Sequence, residues 1–194
     1  MKIEHLKDKN GEIISGPLLF NPEIFNDKRG FFFETWNEKK FNNNFETKIN
    51  FVQDMHSNSK RGVLRGMHYQ LHNPQGKLVR VTSGTIFDVV VDLRSNSQSF
   101  KKWSSVELSD KNKKILWIPE GFAHGLLVLS RNADVLYKVT NFWNKDNERS
   151  LNWSDKIINI SWPLNKFKQH ELVISPKDKE APFYEEIEEL GDFY

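Results

Sequence analysis

Short strand-like runs separated by turn residues constrain the fold of this chain more than any other feature of its sequence. The clearest pair covers residues 77–82 and 85–93, where apolar and polar residues alternate on either side of the two-residue turn signal Ser83-Gly84. Further runs of this kind cover residues 103–108, 115–118, 125–129 and 135–142. Regular short strands with turns between them are typical of an antiparallel sandwich or barrel, rather than a parallel sheet with helical crossovers. The sequence therefore predicts an all-β fold.

The two ends of the chain give weaker patterns. Residues 11–25 predict an opening strand, which Pro17 and Pro22 would interrupt or keep at the edge of a sheet. Residues 31–36 predict another strand, and two phenylalanines spaced one helical turn apart after it predict a short helix. The acidic residues 181–190 predict a loop followed by a short surface helix.

Size and composition exclude several functional classes. A length of 194 residues predicts a single domain spanning residues 1–194. The 28 Lys and Arg against 26 Asp and Glu leave a net charge of +2, which provides no footprint for generic nucleic-acid binding. The absence of cysteine excludes disulfides, thiolate catalysis and cysteine-ligated metal.

The compartment is predicted from the N-terminal residues and the distribution of apolar residues. The first ten residues, MKIEHLKDKN, are polar and charged, which is unlike a secretory signal. No apolar run approaches the roughly 20 residues that a membrane-spanning helix needs. These features predict a cytoplasmic protein without a membrane partner.

The stretch RGVLRGMHYQ, residues 61–70, concentrates chemically active residues. It holds two arginines, two glycines and a histidine, in a chain with ten glycines and six histidines altogether. If it is a strand, alternation places His68 and Gln70 on the same face. One face of a short strand would then carry an ionisable ring beside a polar amide, which a purely structural strand seldom needs. A hydrogen-bonded core histidine is the alternative interpretation of His68.

This stretch resembles the LRG-x-H-[FY]-Q signature of the dTDP-4-dehydrorhamnose 3,5-epimerase family. The resemblance extends from about residue 26 to residue 182, and its other motifs are NDKRGFFFETW, FVQDMHSNS, QGKLVRV, DVVVDLR, WIPEGFAHG, the tyrosine of VLYKVT, and SPKDKEAP. It implies a double-stranded β-helix, the cupin type of jelly roll, and a homodimer with strands exchanged near the interface. It also implies epimerisation at carbons 3 and 5 of dTDP-4-dehydro-6-deoxy-D-glucose, giving dTDP-4-dehydro-L-rhamnose for surface polysaccharide synthesis.

The cupin motifs bear on whether a metal is expected. WIPEGFAHG contains P-x-G-x-x-H, the form of the second cupin motif, with His124 as its histidine. A metal-binding cupin would carry H-x-H in its first motif, where this chain has His68-Tyr69-Gln70. Two histidines alone make a poor metal site. We therefore expect neither metal nor other cofactor, and metal ligation by His68 and His124 is the less favoured alternative.

Epimerisation beside a ketone needs a base, an acid on the opposite face and a group that stabilises the enolate oxygen. Histidine has a suitable pKa for the base, and tyrosine holds its proton at neutral pH. The resemblance implies that His68 is the base, Asp178 orients it, Tyr137 is the proton donor and Lys77 lies near the carbonyl oxygen. From the residues alone, Asp178 would be an exposed loop carboxylate, Tyr137 a packed strand residue and Lys77 a solvated charge.

Further residues match positions that contact the substrate in the family. Arg29 and Arg65 resemble arginines that face the sugar and the diphosphate, for which planar bidentate donors are suited. Other contact positions are occupied by Glu34, Gln53, His124, Glu148 and Lys177. Phe142 and Trp143 lie where the family commonly has tyrosines, one of which stacks on the nucleotide base. An apolar strand end is the alternative interpretation of these two aromatic residues.

Two departures from the family pattern concern the nucleotide. Met55 replaces an asparagine of close relatives, and Trp143 offers a larger stacking surface than tyrosine. The base is therefore thymine, as in the main family, or a purine. The alternatives to the leading hypothesis are a single-carbon epimerase, the same chemistry on another nucleotide, and a non-catalytic nucleotide-sugar-binding cupin. A ketoisomerase is disfavoured because LRGMHYQ and SPKD belong to the epimerase pattern.

Overall fold

The computed structural model describes residues 2–194, apart from the side chain of Gln169. Its strands are β1 (Lys2–Lys7), β2 (Ile13–Asn21), β3 (Phe25–Asp27), β4 (Gly30–Phe32), β5 (Gln53–Lys60), β6 (Val63–Gln70), β7 (Lys77–Ser83), β8 (Thr85–Asp92), β9 (Trp103–Ser109), β10 (Ile115–Ile118), β11 (Phe122–Val128), β12 (Asn132–Val139), β13 (Glu148–Ser150) and β14 (Val173–Ile174). The helices are α1 (Glu38–Asn42), α2 (Pro176–Lys179) and α3 (Tyr184–Leu190), with short 3-10 turns at Leu164–Lys166 and Gln169–Glu171.

Two sheets face each other and enclose the main core. One sheet has six strands in the order β1-β2-β10-β7-β12-β5, and the other has five in the order β13-β6-β11-β8-β9. Neighbouring strands in both sheets are antiparallel, and β14 adds to β6 in parallel. Leu19, Val79 and Val135 from the first sheet pack against Val90 and Leu126 from the second. This arrangement confirms the predicted all-β jelly roll.

Strands β7 and β8 lie close to the predicted bounds, but the hairpin predicted at Ser83-Gly84 is wrong, because the chain crosses there from the six-stranded to the five-stranded sheet and the two strands do not pair. Strand β8 also differs from the prediction in its polar face. Alternation placed Asp88 and Asp92 opposite the valines, yet both carboxylates are fully buried. Strand β8 is covered on both faces because the six-stranded sheet packs on one face and the C-terminal segment packs on the other. Buried carboxylates need partners. Asp92 accepts hydrogen bonds from Arg94 and two serines.

The N-terminal strands correct the sequence prediction. Strand β2 is not at an edge, because β1 pairs with it on one side and β10 on the other. Pro17 is tolerated there because it lies where the β1–β2 register shifts, next to Gly16 at a φ of 119°, so its missing N–H breaks no regular pair. Strand β4 ends at Phe32, short of the predicted residue 36, and forms an exposed hairpin with β3.

The outer faces of both sheets are covered by other segments. Phe41 of α1 packs on Phe20 and Trp117 of the six-stranded sheet. The segment after β13 covers the five-stranded sheet, where Tyr184 and Ile187 of the predicted C-terminal helix are buried. Across residues 2–194, no helix combines the length and apolar character needed to cross a membrane.

Candidate active site

A close approach between β6 and β11 places two histidines side by side. His68 on β6 is in register with His124 on β11. Gly66 adopts a φ of 116°, and a Cβ atom built on it would lie 2.6 Å from the Cα of Gly125 and 2.7 Å from the carbonyl oxygen of His124. Glycine is therefore required here, because any side chain would push the two strands apart.

The SPKD segment reaches His68 through strand pairing. Strand β14 pairs with the start of β6, so the chain enters α2 beside the histidine. Ser175 caps α2 by accepting a hydrogen bond from the backbone N–H of Asp178. Asp178 is consequently buried, and its Oδ1 lies 2.6 Å from Nε2 of His68. The exposed loop carboxylate expected from the residues alone is therefore not what the structure has.

The contact between these two side chains has a chemical consequence for the imidazole. An ionised Asp178 accepts a hydrogen bond from the N–H of Nε2, which leaves Nδ1 of His68 as the nitrogen with a free lone pair. Burial alone would raise the pKa of Asp178. Hydrogen bonds with His68, Ser175 and the backbone N–H of Gly66 hold that pKa below its usual value. The carboxylate thus stays ionised at neutral pH and can stabilise an imidazolium.

Tyr137 faces this pair from the other sheet. It lies on β12, and its side chain packs at the edge of the core between the sheets. Tyr69, which neighbours His68, packs instead on the outer face, so His68 points to the inter-sheet space. Burial raises the pKa of Tyr137, and Glu148 adds to the shift while Arg65 opposes it. Its phenol is therefore protonated at neutral pH, as an acid requires.

Lys77 is buried next to His68 and is not the solvated charge that its position at a strand start would allow. It begins β7, and its Nζ lies 3.4 Å from the carbonyl oxygen of His68. Burial lowers the pKa of Lys77 to about 8, although the nearby carboxylates Asp88 and Glu148 act to raise it. A buried ammonium here can stabilise negative charge that develops on an oxygen.

Asp88 is a buried residue beside the site that the sequence did not predict. Its two carboxylate oxygens lie 2.9 and 3.0 Å from Nε2 of His124, and both side chains are buried. Asp88 thereby engages Nε2 of His124, and its negative charge also acts on Lys77. An acidic residue inside a strand with two apolar neighbours was the available signal, because such a residue needs a buried partner.

Four more of the expected substrate residues lie around the same region. Lys177, beside Asp178, forms an ion pair of 2.5 Å with Glu148. The Nε of Arg65 donates to Ser59, and Gln53 accepts a hydrogen bond from the backbone of the loop that carries Trp143. The cavity itself, of about 110 Å³, is lined by Met55, His68, Tyr69, Gln75, Lys77, Tyr137, Trp143 and Glu148.

Two further expected substrate residues, Arg29 and Glu34, are also absent from the lining, and their side chains bond to other parts of the chain. Arg29 is at the turn of the exposed β3–β4 hairpin, where its Nε and Nη2 both donate to Oδ2 of Asp27. Glu34 bonds to Lys40 and to the side chain of Asn37, the residue that caps α1. Among residues 2–194, three or more histidine, aspartate or glutamate side chains nowhere converge as a metal site.

In this cupin-type jelly roll, a histidine hydrogen-bonded to a buried carboxylate lines one cavity together with a protonated tyrosine from the opposite sheet and a buried lysine. The comparisons identify the family. The family model for dTDP-4-dehydrorhamnose 3,5-epimerase matches residues 12–186, and the chain belongs to this family.

Individual relatives agree with this assignment. A dTDP-4-dehydrorhamnose 3,5-epimerase from Shigella flexneri is 55% identical over 148 residues, covering 76% of this chain and 82% of that protein. One from Pseudomonas aeruginosa is 49% identical over 164 residues, covering 84% and 88%. The structure of dTDP-6-deoxy-D-glucose-3,5-epimerase from Legionella pneumophila, in complex with dTDP-4-keto-L-rhamnose, has a TM-score of 0.85 at 40% identity, covering 94% and 93%. The family predicted from the sequence motifs is confirmed.

Proposed function

We propose that this chain converts dTDP-4-dehydro-6-deoxy-D-glucose to dTDP-4-dehydro-L-rhamnose by epimerising carbons 3 and 5, as an isomerase that needs no cofactor. One observation carries the proposal. A histidine oriented by a buried carboxylate and a protonated tyrosine face one cavity from opposite sheets, so a sugar between them meets a base on one face and an acid on the other. The complex of the Legionella relative with dTDP-4-keto-L-rhamnose supports the substrate class.

The first chemical step is removal of a proton beside the ketone. Nδ1 of His68 takes the proton from the sugar carbon beside the ketone. The electron pair of the C–H bond forms a double bond to the carbonyl carbon, and the π electrons of the carbonyl move to its oxygen to give an enolate. Asp178 stabilises the imidazolium that forms. Lys77 holds its ammonium near the enolate oxygen, where a charge in a water-poor cavity acts more strongly than in bulk solvent.

The second step returns a proton to the opposite face. Tyr137 donates its phenolic proton to the enolate carbon, which inverts the configuration at that carbon and restores the ketone. The raised pKa of Tyr137 keeps this proton available at neutral pH. His68 then loses its proton to solvent and Tyr137 regains one from solvent, after which the same two steps at the second carbon complete the double epimerisation. In this proposal Arg65 and Lys177 lie on the diphosphate side, Glu148 at the sugar, and Gln53 and Trp143 toward the nucleotide.

We infer that the active protein is a homodimer in which the β3–β4 hairpin reaches the site of a second copy. The hairpin exposes Phe25, Phe31 and Phe32 together, which is an apolar patch suited to a partner surface. Arg29 lies at its turn, away from the cavity lining of its own chain. A second copy would bring this arginine, with Glu34 after it, to the substrate.

Hybrid dimers test this exchange. His68→Asn and Arg29→Ala variants, each expected to be impaired, are co-expressed with different tags and the mixed dimer is purified. If Arg29 acts in trans, one of the two sites contains both native residues and the mixed dimer recovers about half of the native turnover. A mixed dimer as inactive as its parents would contradict the exchange.

The proposal treats residues 1–194 as one catalytic domain that works in the cytoplasm. The family match over residues 12–186 supports the extent of the domain, as does the packing of the C-terminal helix on the five-stranded sheet. A nucleotide sugar is an intracellular metabolite, which supports the compartment. Cell fractionation with an antibody to the chain tests the location.

Proton NMR in deuterated water tests the activity directly. Purified protein is incubated with dTDP-4-keto-6-deoxyglucose, and a reductase traps the product. We expect deuterium at both carbons 3 and 5 and a product of L-rhamnose type. Exchange at one carbon would establish a single-carbon epimerase. If the dTDP sugar shows no exchange but the corresponding GDP-linked sugar does, the nucleotide of the substrate is guanosine diphosphate. If neither sugar shows exchange, the chain is a non-catalytic binding protein.

A further inference from the structure

The loop between β12 and β13 presents Trp143 to the cavity without regular structure of its own. We call residues 142–144 the platform turn. Phe142 and Trp143 are both exposed, so burial of their rings does not hold the turn in place. The orientation of the indole therefore depends on the hydrogen bonds that the backbone of the platform turn makes.

Gln70 supplies two of these bonds. Its Oε1 accepts the backbone N–H of Asn144 at 2.7 Å, and its Nε2 donates to the carbonyl oxygen of Phe142 at 3.3 Å and to that of Asn73 at 2.8 Å. Both amide hydrogens and the amide oxygen are thus used, and the side chain is almost fully buried. Gln70 shares its strand face with His68, yet it is engaged with the loop backbone.

Gln53 holds the same turn from the other sheet. Its Oε1 accepts the backbone N–H of Trp143 at 3.0 Å. Gln53 is the first residue of β5 and Gln70 the last of β6, so the platform turn is fixed at two points that belong to opposite sheets. A third amide, Gln75, donates to Asn141, which anchors the chain just before the turn.

We propose that Gln70 and Gln53 are positioning residues, which hold Trp143 as a flat platform for the nucleotide base and so set the affinity for the nucleotide end of the substrate. The inference rests on the proposed nucleotide-sugar substrate. Stacking of a base on an aromatic ring contributes to binding only when the ring is already in place, because ordering it on binding costs conformational entropy. Gln70, two residues after His68 in the chain, would thereby affect substrate binding without taking part in proton transfer.

A double-mutant cycle on dTDP binding tests the proposal. Gln70→Leu, Gln53→Leu and Trp143→Ala are measured singly, and each glutamine variant is combined with Trp143→Ala. We expect each single variant to raise the Kd of dTDP about fivefold to tenfold. In the Trp143→Ala background neither glutamine variant should add to the loss, because the platform is already absent. Gln98→Leu, on an exposed loop outside the cavity, is the matched control.

Steady-state kinetics provide a readout that a merely structural role would not give. We expect the KM of the nucleotide sugar to rise in both glutamine variants while kcat at saturation stays at the native value. Any of three results would overturn the proposal. They are a lowered kcat with native KM, an unchanged affinity for dTDP, and a loss of dTDP affinity that is just as large in the Trp143→Ala background. If Gln70→Leu does not fold, the partly exposed Gln53 carries the same test. Native enzyme inactive on the dTDP sugar would refute the proposed function, while the dTDP cycle would still decide the role of the glutamines.

Discussion

Two histidine–aspartate pairs lie on neighbouring strands of one sheet, and they differ in their access to the cavity. In the open pair, the side chain of His68 is 28% exposed and Asp178 arrives from α2. In the closed pair, His124 is 10% exposed and Asp88 comes from the adjoining strand β8. The same two residue types thus serve different purposes. The open imidazole can meet a substrate, whereas the closed pair places a fixed carboxylate near Lys77.

The largest effect is expected from the open pair. His68→Asn removes the ring nitrogen that we propose accepts the proton, and kcat should fall about 1,000-fold, as expected for loss of a general base. The Kd of dTDP should stay near the native value. His56→Asn is a matched control, since His56 forms an exposed pair with Asp134 on the outer face of the other sheet. Native turnover by His68→Asn would contradict the proposal that the imidazole of the open pair is the base.

Asp178→Asn tests the orientation of that histidine. The amide cannot stabilise an imidazolium. Its NH₂ group can also donate a hydrogen bond to Nε2, which favours the tautomer of His68 that carries its proton on Nδ1. We expect kcat to fall about 100-fold, with little change in KM. Stopped-flow turnover at saturating substrate measures the effect. An equal loss in KM and none in kcat would make Asp178 a substrate contact instead.

The difference between the pairs also shows what the sequence could predict. Strands β7 and β8 were visible because period-two alternation is a local signal, whereas the hairpin predicted between them was wrong because each strand pairs with partners in its own sheet. The closed pair was not visible, because Asp88 and His124 are 36 positions apart and meet only through strand pairing. Local alternation assigned Asp88 to a polar face, while the folded sheet buries both faces of that strand.

The candidate site divides in the same way. Motif resemblance proposed His68, Asp178, Tyr137 and Lys77, and the structure brings all four to one region. Their burial could not be predicted, since it depends on β14 pairing with β6 and on packing between the sheets. Arg29 also matched its motif, but it lies outside the cavity lining of its own chain, and we propose that a second copy brings it to the site. Residue identity was therefore predictable, and environment was not.

A smaller effect is expected from the closed pair, on pH dependence. Lys77 works as an ammonium, so activity should fall as pH rises through its pKa of about 8. The charge of Asp88 raises that pKa, and Asp88→Asn removes this contribution. The alkaline limb of kcat/KM should therefore move to lower pH, while Asp134→Asn leaves it in place. An unmoved limb would mean that the closed pair does not act through Lys77.

The smallest effect is expected from metal removal, and it separates the two pairs from the alternative in which His68 and His124 bind one metal together. Each Nε2 is already directed at its own carboxylate, at 2.6 Å in the open pair and 2.9 Å in the closed pair. Two imidazoles engaged in this way would need both carboxylates to turn aside before they could share a cation. We expect unchanged turnover after dialysis against EDTA and 1,10-phenanthroline, with metal content followed by mass spectrometry. Loss of activity that added Zn²⁺ or Fe²⁺ restores would show that the two pairs form one site.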